Sequence, residues 1–264
     1  MTCRTKLTIA YLGSSFSGWQ RQPEARTVQG EVERAVMTLT GGHRLPVVGA
    51  GRTDAGVHAV GQVAHVDLPS AIPTSIVPKI VNARLAADVR VRSAVAVGTA
   101  FHARKGAVGK HYAYRLRWPP PTLPWRDPRA AFDRPPGRPE ALEAACRLLP
   151  GRRDWSSFTV PDAARRGAVR TVFRIACRWR SNGLDLGFFG DGFLRYQVRR
   201  MVGALLAIGA GRMTMDELST LLESPSPGAP LPTAPARGLT LERVYYRRTA
   251  TLVLPGGPGA SGST

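Results

Sequence analysis

A chain of 264 residues with 43% hydrophobic content can fill the core of one large domain or two smaller ones without covalent staples. Its three cysteines, Cys3, Cys146 and Cys177, form no C-x-x-C pair, which argues against a disulfide framework or a cysteine metal site and fits a reducing cytoplasm. The formal charge of +19, from 37 Lys+Arg against 18 Asp+Glu, points to a polyanionic partner, nucleic acid above all. Arginine-rich composition inflates the count, since only Lys6, Lys79, Lys105 and Lys110 are lysines, but it does not account for the shortage of acids. Neither a signal peptide nor a membrane span is expected: Arg4 and Lys6 lead straight into a strand-like run, and Arg199 and Arg200 interrupt the longest apolar stretch, 194–210.

In chain order, Leu7, Ile9 and Tyr11 alternate and predict a strand over 6–12 that leaves through Gly13-Ser14-Ser15. Val28, Val32, Val36 and Leu39 then recur at helical spacing, behind Thr27 as N-cap and before Gly41-Gly42 as the stop. A short apolar run at 46–50, a polar glycine-flanked loop at 51–57 and a strand-like run at 59–67 follow. Residues 74–85 can be helical, with Pro78 tolerable only in the first turn, and 89–97 alternates again. Tyr112, Tyr114, Leu116 and Trp118 share one face of a strand over 110–118, which Pro119-Pro120-Pro121 ends; a Pro/Arg-rich connection runs from there to Pro139. Leu142, Ala145, Cys146 and Leu149 mark a short helix. The clearest strand spans 169–180, with Arg170, Arg174, Arg178 and Arg180 between its apolar positions, and Asn182-Gly183 predicts a type I′ hairpin into 184–188. Residues 196–209 read as a helix burying Val198, Met201, Val202, Leu205 and Ile208. A last strand is expected at 239–246, and a disordered Gly/Ser/Pro tail at the end.

The organisation predicted is α+β, in two similar-sized mixed lobes: 1–109, 110–250, and a tail over 251–264. The segment of greatest chemical interest is Gly49-Ala50-Gly51-Arg52-Thr53-Asp54-Ala55-Gly56-Val57-His58-Ala59. Glycines on both sides of Arg52-Thr53-Asp54 allow close backbone approach, as a loop presenting one carboxylate to a ligand requires. By itself, an Asp in a glycine turn more usually caps the N–H groups that follow it.

The run GRTDAGVHA resembles the signature of the tRNA pseudouridine synthase A family, and the resemblance continues in order from Tyr11 to about Tyr246. It is carried by Tyr11-Leu12-Gly13, Gly18-Trp19-Gln20-Arg21-Gln22, Thr27-Val28-Gln29-Gly30, Phe101-His102-Ala103-Arg104 and Tyr112-Ala113-Tyr114. It goes on through Asp154-Trp155-Ser156-Ser157-Phe158, Arg170-Thr171, Phe193-Leu194, Val198 to Gly203, and Ala234 to Leu239. The resemblance implies a pseudouridine synthase-like fold, largely antiparallel, with an active-site cleft between the lobes. It implies isomerisation of uridine to pseudouridine in the anticodon stem-loop of tRNA (positions 38 to 40), with no metal or organic cofactor, by a homodimer.

Carried over position by position, Asp54 is the nucleophile, Tyr112 the aromatic residue near the target base and Arg199 the cation paired with the aspartate, with Arg200 its near rival. Arg52 either fills the space left by an everted base or contacts phosphate, and Arg104 is a further substrate-binding residue. Two departures stand out: Gln197-Val198-Arg199-Arg200 replaces the family's Met-Val-Arg-Asn, and Arg153-Asp154-Trp155 replaces His-Asp-Phe. A metal hydrolase built on Asp54, His58, His65 and Asp67 lacks the Glu or Cys that would complete a familiar ligand set. A non-catalytic RNA-binding protein or chaperone explains the charge and aromatics, but not a carboxylate between Arg52 and His58.

Overall fold

A computed structural model describes residues 1–119, 128–165 and 167–247; the expected tail and part of the Pro/Arg-rich connection lie outside the described residues. The first elements are β1 (Thr2–Tyr11), α1 (Val28–Val36), β2 (Val48–Gly49), β3 (His58–Pro69), α2 (Val77–Asn82) and β4 (Val89–Ala96). Next come β5 (Gly109–Arg117), β6 (Ala131–Phe132), α3 (Pro139–Leu148), β7 (Gly151–Asp154), α4 (Pro161–Ala164), β8 (Val169–Arg180) and β9 (Gly183–Gly190). The chain finishes with α5 (Gln197–Gly209), α6 (Met215–Glu223) and β10 (Leu239–Tyr245). Two compact units result, one of Met1–Ala107 with Thr240–Tyr246, the other of Val108–Leu239 with Arg247. No helix among the described residues is long and apolar enough to cross a membrane.

In the first unit β3 is the organising strand. β1 runs antiparallel along one edge and carries β4 beyond it, while β2 (antiparallel) and β10 (parallel) pair with different stretches of β3. Alternation on β1 buries Leu7, Ile9 and Tyr11, and Val28, Val32 and Val36 bring one face of α1 into the same core. Thr27 caps α1 by accepting from the Gly30 N–H, and Gly41 and Gly42 end the segment with φ of 61° and 94°. The helix expected over 74–85 shortens to α2, because Pro78 has no N–H to give to an earlier turn and sits at its start.

The second unit has the antiparallel order β5-β9-β8-β7, with β6 parallel to β5. Register places Tyr112, Tyr114 and Leu116 beside Phe188, Leu186 and Leu184, all buried. The expected face of α5 is buried too, Met201, Val202 and Leu205 completely. The hairpin between β8 and β9 forms one residue earlier than predicted. Its turn residues are Ser181 and Asn182, with Gly183 already paired to Arg180, and neither turn residue has the positive φ of a type I′ turn. Gly183 answers to the adjacent strand instead: a Cβ there would lie 2.2 Å from the Leu116 carbonyl oxygen. α6, which had no predicted counterpart, starts with a capping box between Thr214 and Glu217.

One ion pair ties the segment after β1 to the start of β4. Arg26 donates to both carboxylate oxygens of Asp88 at 2.7 and 2.9 Å, and these hydrogen bonds hold the Asp88 carboxyl below its usual range. A depressed carboxylate contributes stability that is complete above its unfolded-state value of about 4 and is lost as pH falls through the folded-state value. Asp88→Asn is therefore expected to cost up to about 1 kcal/mol at pH 7, because the pair is partly exposed. Urea melts of parent and variant should converge below about pH 4; a gap that persists unchanged to the lowest accessible pH would deny the pair any charge-based role.

Candidate active site

Asp54 occupies the loop between β2 and β3, half-buried, with its neighbour Thr53 buried. Residues 54–57 form a turn in which the Val57 N–H donates to the Asp54 carbonyl at 3.1 Å, and Gly56 takes the left-handed position with φ 79°. The loop is fastened along its length. The Trp19 N–H donates to the Thr53 carbonyl (3.1 Å), the Gly56 N–H to the Phe16 carbonyl (3.4 Å), and the Gln62 amide to the Gly51 carbonyl (3.0 Å). Beneath it the Tyr11 hydroxyl shares a 2.9 Å hydrogen bond with the Thr53 hydroxyl; burial pushes the Tyr11 pKa up, so the phenol stays protonated. Backbone and side-chain bonds together fix the path of the main chain on either side of Asp54.

Arg52 lies two residues earlier on the same loop and is exposed. Together with exposed Arg104 it lines a pocket of about 130 Å³, whose other walls include Trp19, Gln20, Gln29, Val47 and strand β2. The structure therefore brings together two arginines that the sequence separates by more than fifty positions. The segment that presents Arg104 is anchored by residues first weighed as metal ligands. Arg4, paired with Asp67 at 2.8 and 2.9 Å, donates onward to the Thr99 and Phe101 carbonyls (2.6 and 3.0 Å). The Ala103 N–H donates to His65 Nδ1 at 3.2 Å, and the Tyr246 hydroxyl to the Ala103 carbonyl at 2.7 Å. Burial, with Arg4 and His102 close by, lowers the His65 pKa and keeps the ring able to accept. His58 Nδ1 likewise accepts from the Gly13 N–H at 3.0 Å, which ties the start of β3 to the turn after β1.

In the second unit Tyr112 sits on β5 with 7% of its surface exposed, and Phe193 meets it edge-on at 5.5 Å between ring centroids. Arg199, in the first turn of α5, is half-buried; its Nε donates to the Ala234 carbonyl at 2.7 Å and its guanidinium lies 5.2 Å from the Tyr196 ring centre. Arg200 turns elsewhere, giving Nη1 to the Thr159 and Ser157 carbonyls at 2.9 and 3.4 Å. The departures from the family pattern thus have visible uses. Gln197 Oε1 accepts from the Leu194 N–H at 2.8 Å, Arg200 holds the 157–159 segment, and fully buried Trp155 packs on Phe158 and donates to the Arg170 carbonyl at 3.0 Å.

Several residues of consequence went unassigned from sequence. Tyr11, Thr53 and Gln62 act through long-range bonds that have no local signal. Tyr196, the one non-glycine residue with positive φ among those described (63°), caps α5 and lies against both Arg195 and Arg199. No composition rule marks a tyrosine for that conformation.

Comparison with known proteins shows the family of the chain. A family model described as tRNA pseudouridine synthase matches residues 7–104 and 145–247. The chain is 40% identical over 246 residues to tRNA pseudouridine synthase A of Geobacillus kaustophilus, an alignment covering 93% of this chain and 95% of that protein. It is 39% identical over 245 residues to the Bacillus subtilis protein of the same name (92% and 99%), and 37% identical over 249 residues to that of Latilactobacillus sakei (94% and 100%). The chain belongs to the tRNA pseudouridine synthase A family, a family of isomerases.

Proposed function

We propose that this chain isomerises uridine to pseudouridine in the anticodon stem-loop of tRNA, at positions 38 to 40, with the Asp54 carboxylate as nucleophile. The observation that supports the reading most directly is the tethering of the Asp54 loop: a carboxylate on main chain fixed by bonds from Trp19, Gly56, Gln62 and Tyr11, with an exposed arginine two residues away. Reacting groups need that kind of fixed placement, whereas a capping aspartate in a surface turn does not. The reaction breaks the N1–C1′ bond, turns the freed uracil and forms C5–C1′, with the proton lost from C5 balanced by one gained at N1. Nothing is oxidised or reduced, so no cofactor is required. The protein's task is to supply an ionised carboxylate, a surface that retains the detached base, and exclusion of water.

Tyr112, an aromatic face without competing nucleophilicity, is assigned to the base. Arg199 is assigned to stabilising the carboxylate in its charged form, in preference to Arg200, which has committed Nη1 to two carbonyls. Arg52 and Arg104 are assigned to the RNA, Arg52 also assisting extrusion of the target, which costs a few kcal/mol. A homodimer acting in the cytoplasm completes the proposal. Pseudouridine mapping of tRNA from cells with and without this protein tests it: loss of the modification at positions 38 to 40 in the deletion, restored by the parent gene, is the expected result. An unchanged map would leave only RNA binding.

A further inference from the structure

The pocket beside the Asp54 loop has features that holding that loop in place does not require. β2 pairs with β3 so that Val48 lies opposite His65, and the Ala50 N–H donates to the Val63 carbonyl at 2.7 Å. Antiparallel alternation then turns the peptide N–H and C=O of Gly49 away from β3, toward the edge that faces the pocket. The neighbouring groups on that edge are already used: the Val47 N–H donates to Glu33 Oε1 at 3.2 Å, and the Val47 carbonyl accepts from the Gln29 amide at 3.2 Å. Gly49 thus offers one donor and one acceptor, side by side, to the pocket. Arg52 and Arg104 stand at its rim, exposed, with guanidinium groups suited to bidentate contact with phosphate. Its volume of about 130 Å³ equals roughly four waters, room for one nucleobase ring and not for a stacked pair.

We propose that this pocket is a subsite for one nucleotide flanking the target uridine, its base edge on the Gly49 peptide and its phosphate on Arg52 and Arg104. The inference rests on the assignment of the chain as an enzyme acting on an RNA loop. Unstacked bases next to an everted nucleotide are what single-strand recognition engages. A peptide donor and acceptor pair reads a base edge without needing a further polar side chain.

Gln20 lies at the pocket and is exposed, so Gln20→Trp puts a bulky ring into the space proposed for the base while leaving Arg52, Arg104 and Asp54 themselves unchanged. Three stem-loop RNAs serve as probes: one intact, one abasic 5′ to the target and one abasic 3′ to it, each measured for Kd and KM. The parent is expected to bind one abasic RNA about tenfold more weakly than the intact RNA. Gln20→Trp should bind the intact RNA about that weakly, discriminate no longer, and keep kcat within about twofold. Gly98→Ala, a change outside the pocket at a position where a Cβ meets nothing within 4 Å, should discriminate as the parent does. Equal parent affinity for all three RNAs would overturn the proposal, as would undiminished discrimination by Gln20→Trp. Binding is read without turnover, so a parent that binds selectively yet makes no pseudouridine would refute the enzymatic assignment and leave the subsite standing.

Discussion

Asp54→Asn is expected to bind tRNA with the parent's affinity while its turnover falls by at least about 10⁴-fold, the scale seen when a group that reacts directly is removed. The substitution is isosteric and changes none of the backbone bonds that tether the loop: the Trp19 and Gly56 N–H groups still find the Thr53 and Phe16 carbonyls, and the Val57 N–H still finds the carbonyl of residue 54. An amide can neither add to the sugar or base as a nucleophile nor take up a proton in a carboxylate's place. Losing one negative charge near a strongly cationic surface does not weaken attraction for a polyanion, so affinity should hold or rise slightly. Filter binding, and release of tritium from tRNA labelled at uridine C5, measured on one tRNA preparation, separate the two effects. Turnover by the Asn variant within tenfold of the parent would remove Asp54 from the chemistry.

Much of the scaffold around this carboxylate is readable from the sequence because its elements carry strong local periods. β1, β5 and β8 alternate over eight residues or more, and α1 and α5 each show a one-sided apolar stripe, so burial of Leu7, Tyr114 and Met201 follows from pattern alone. β2, β6 and β7, of two to four residues, are too short to display a period. They exist because a neighbouring strand offers an edge. The pairing of β10 with β3 joins Thr240 to His58 across the whole chain, and no local signal encodes such a contact. α6 is a different case: Thr214 followed three residues later by Glu217 is a legible cap, and the segment simply lacks strong neighbours in the pattern.

The residues proposed for the chemistry divide in the same way. Asp54, Arg52, Tyr112 and Arg199 emerge from a motif and from the order of the blocks around it. The framework that would make a motif into a machine does not emerge. His65 and Asp67, which on spacing could be ligands, instead hold the 99–104 segment that presents Arg104, one through a ring nitrogen and the other through Arg4. Tyr11 is an ordinary core residue by its alternation, and only its hydroxyl bond to Thr53 connects it to the loop.

Gly18→Ala tests whether that framework matters to function. Gly18 has φ 92°, which an L-residue with a side chain adopts at a cost of about 1–3 kcal/mol. A Cβ there would also lie 2.7 Å from the Thr53 carbonyl oxygen and 3.3 Å from the Ala55 nitrogen, both backbone atoms of the Asp54 loop. The collision cannot be relieved by turning a side chain; the loop itself has to move, and with it the Thr53 carbonyl that receives the Trp19 N–H. Displacement of a reacting group by about an ångström is worth roughly 100-fold in rate, so kcat/KM should fall by about that factor, with thermal unfolding occurring at a lower temperature. Gly98→Ala provides the comparison, since a Cβ at that position meets nothing within 4 Å, and both stability and rate should stay at parent values. If Gly18→Ala is folded at the assay temperature and fully active, the Asp54 loop tolerates displacement that a positioned nucleophile could not, and the carboxylate has some other task.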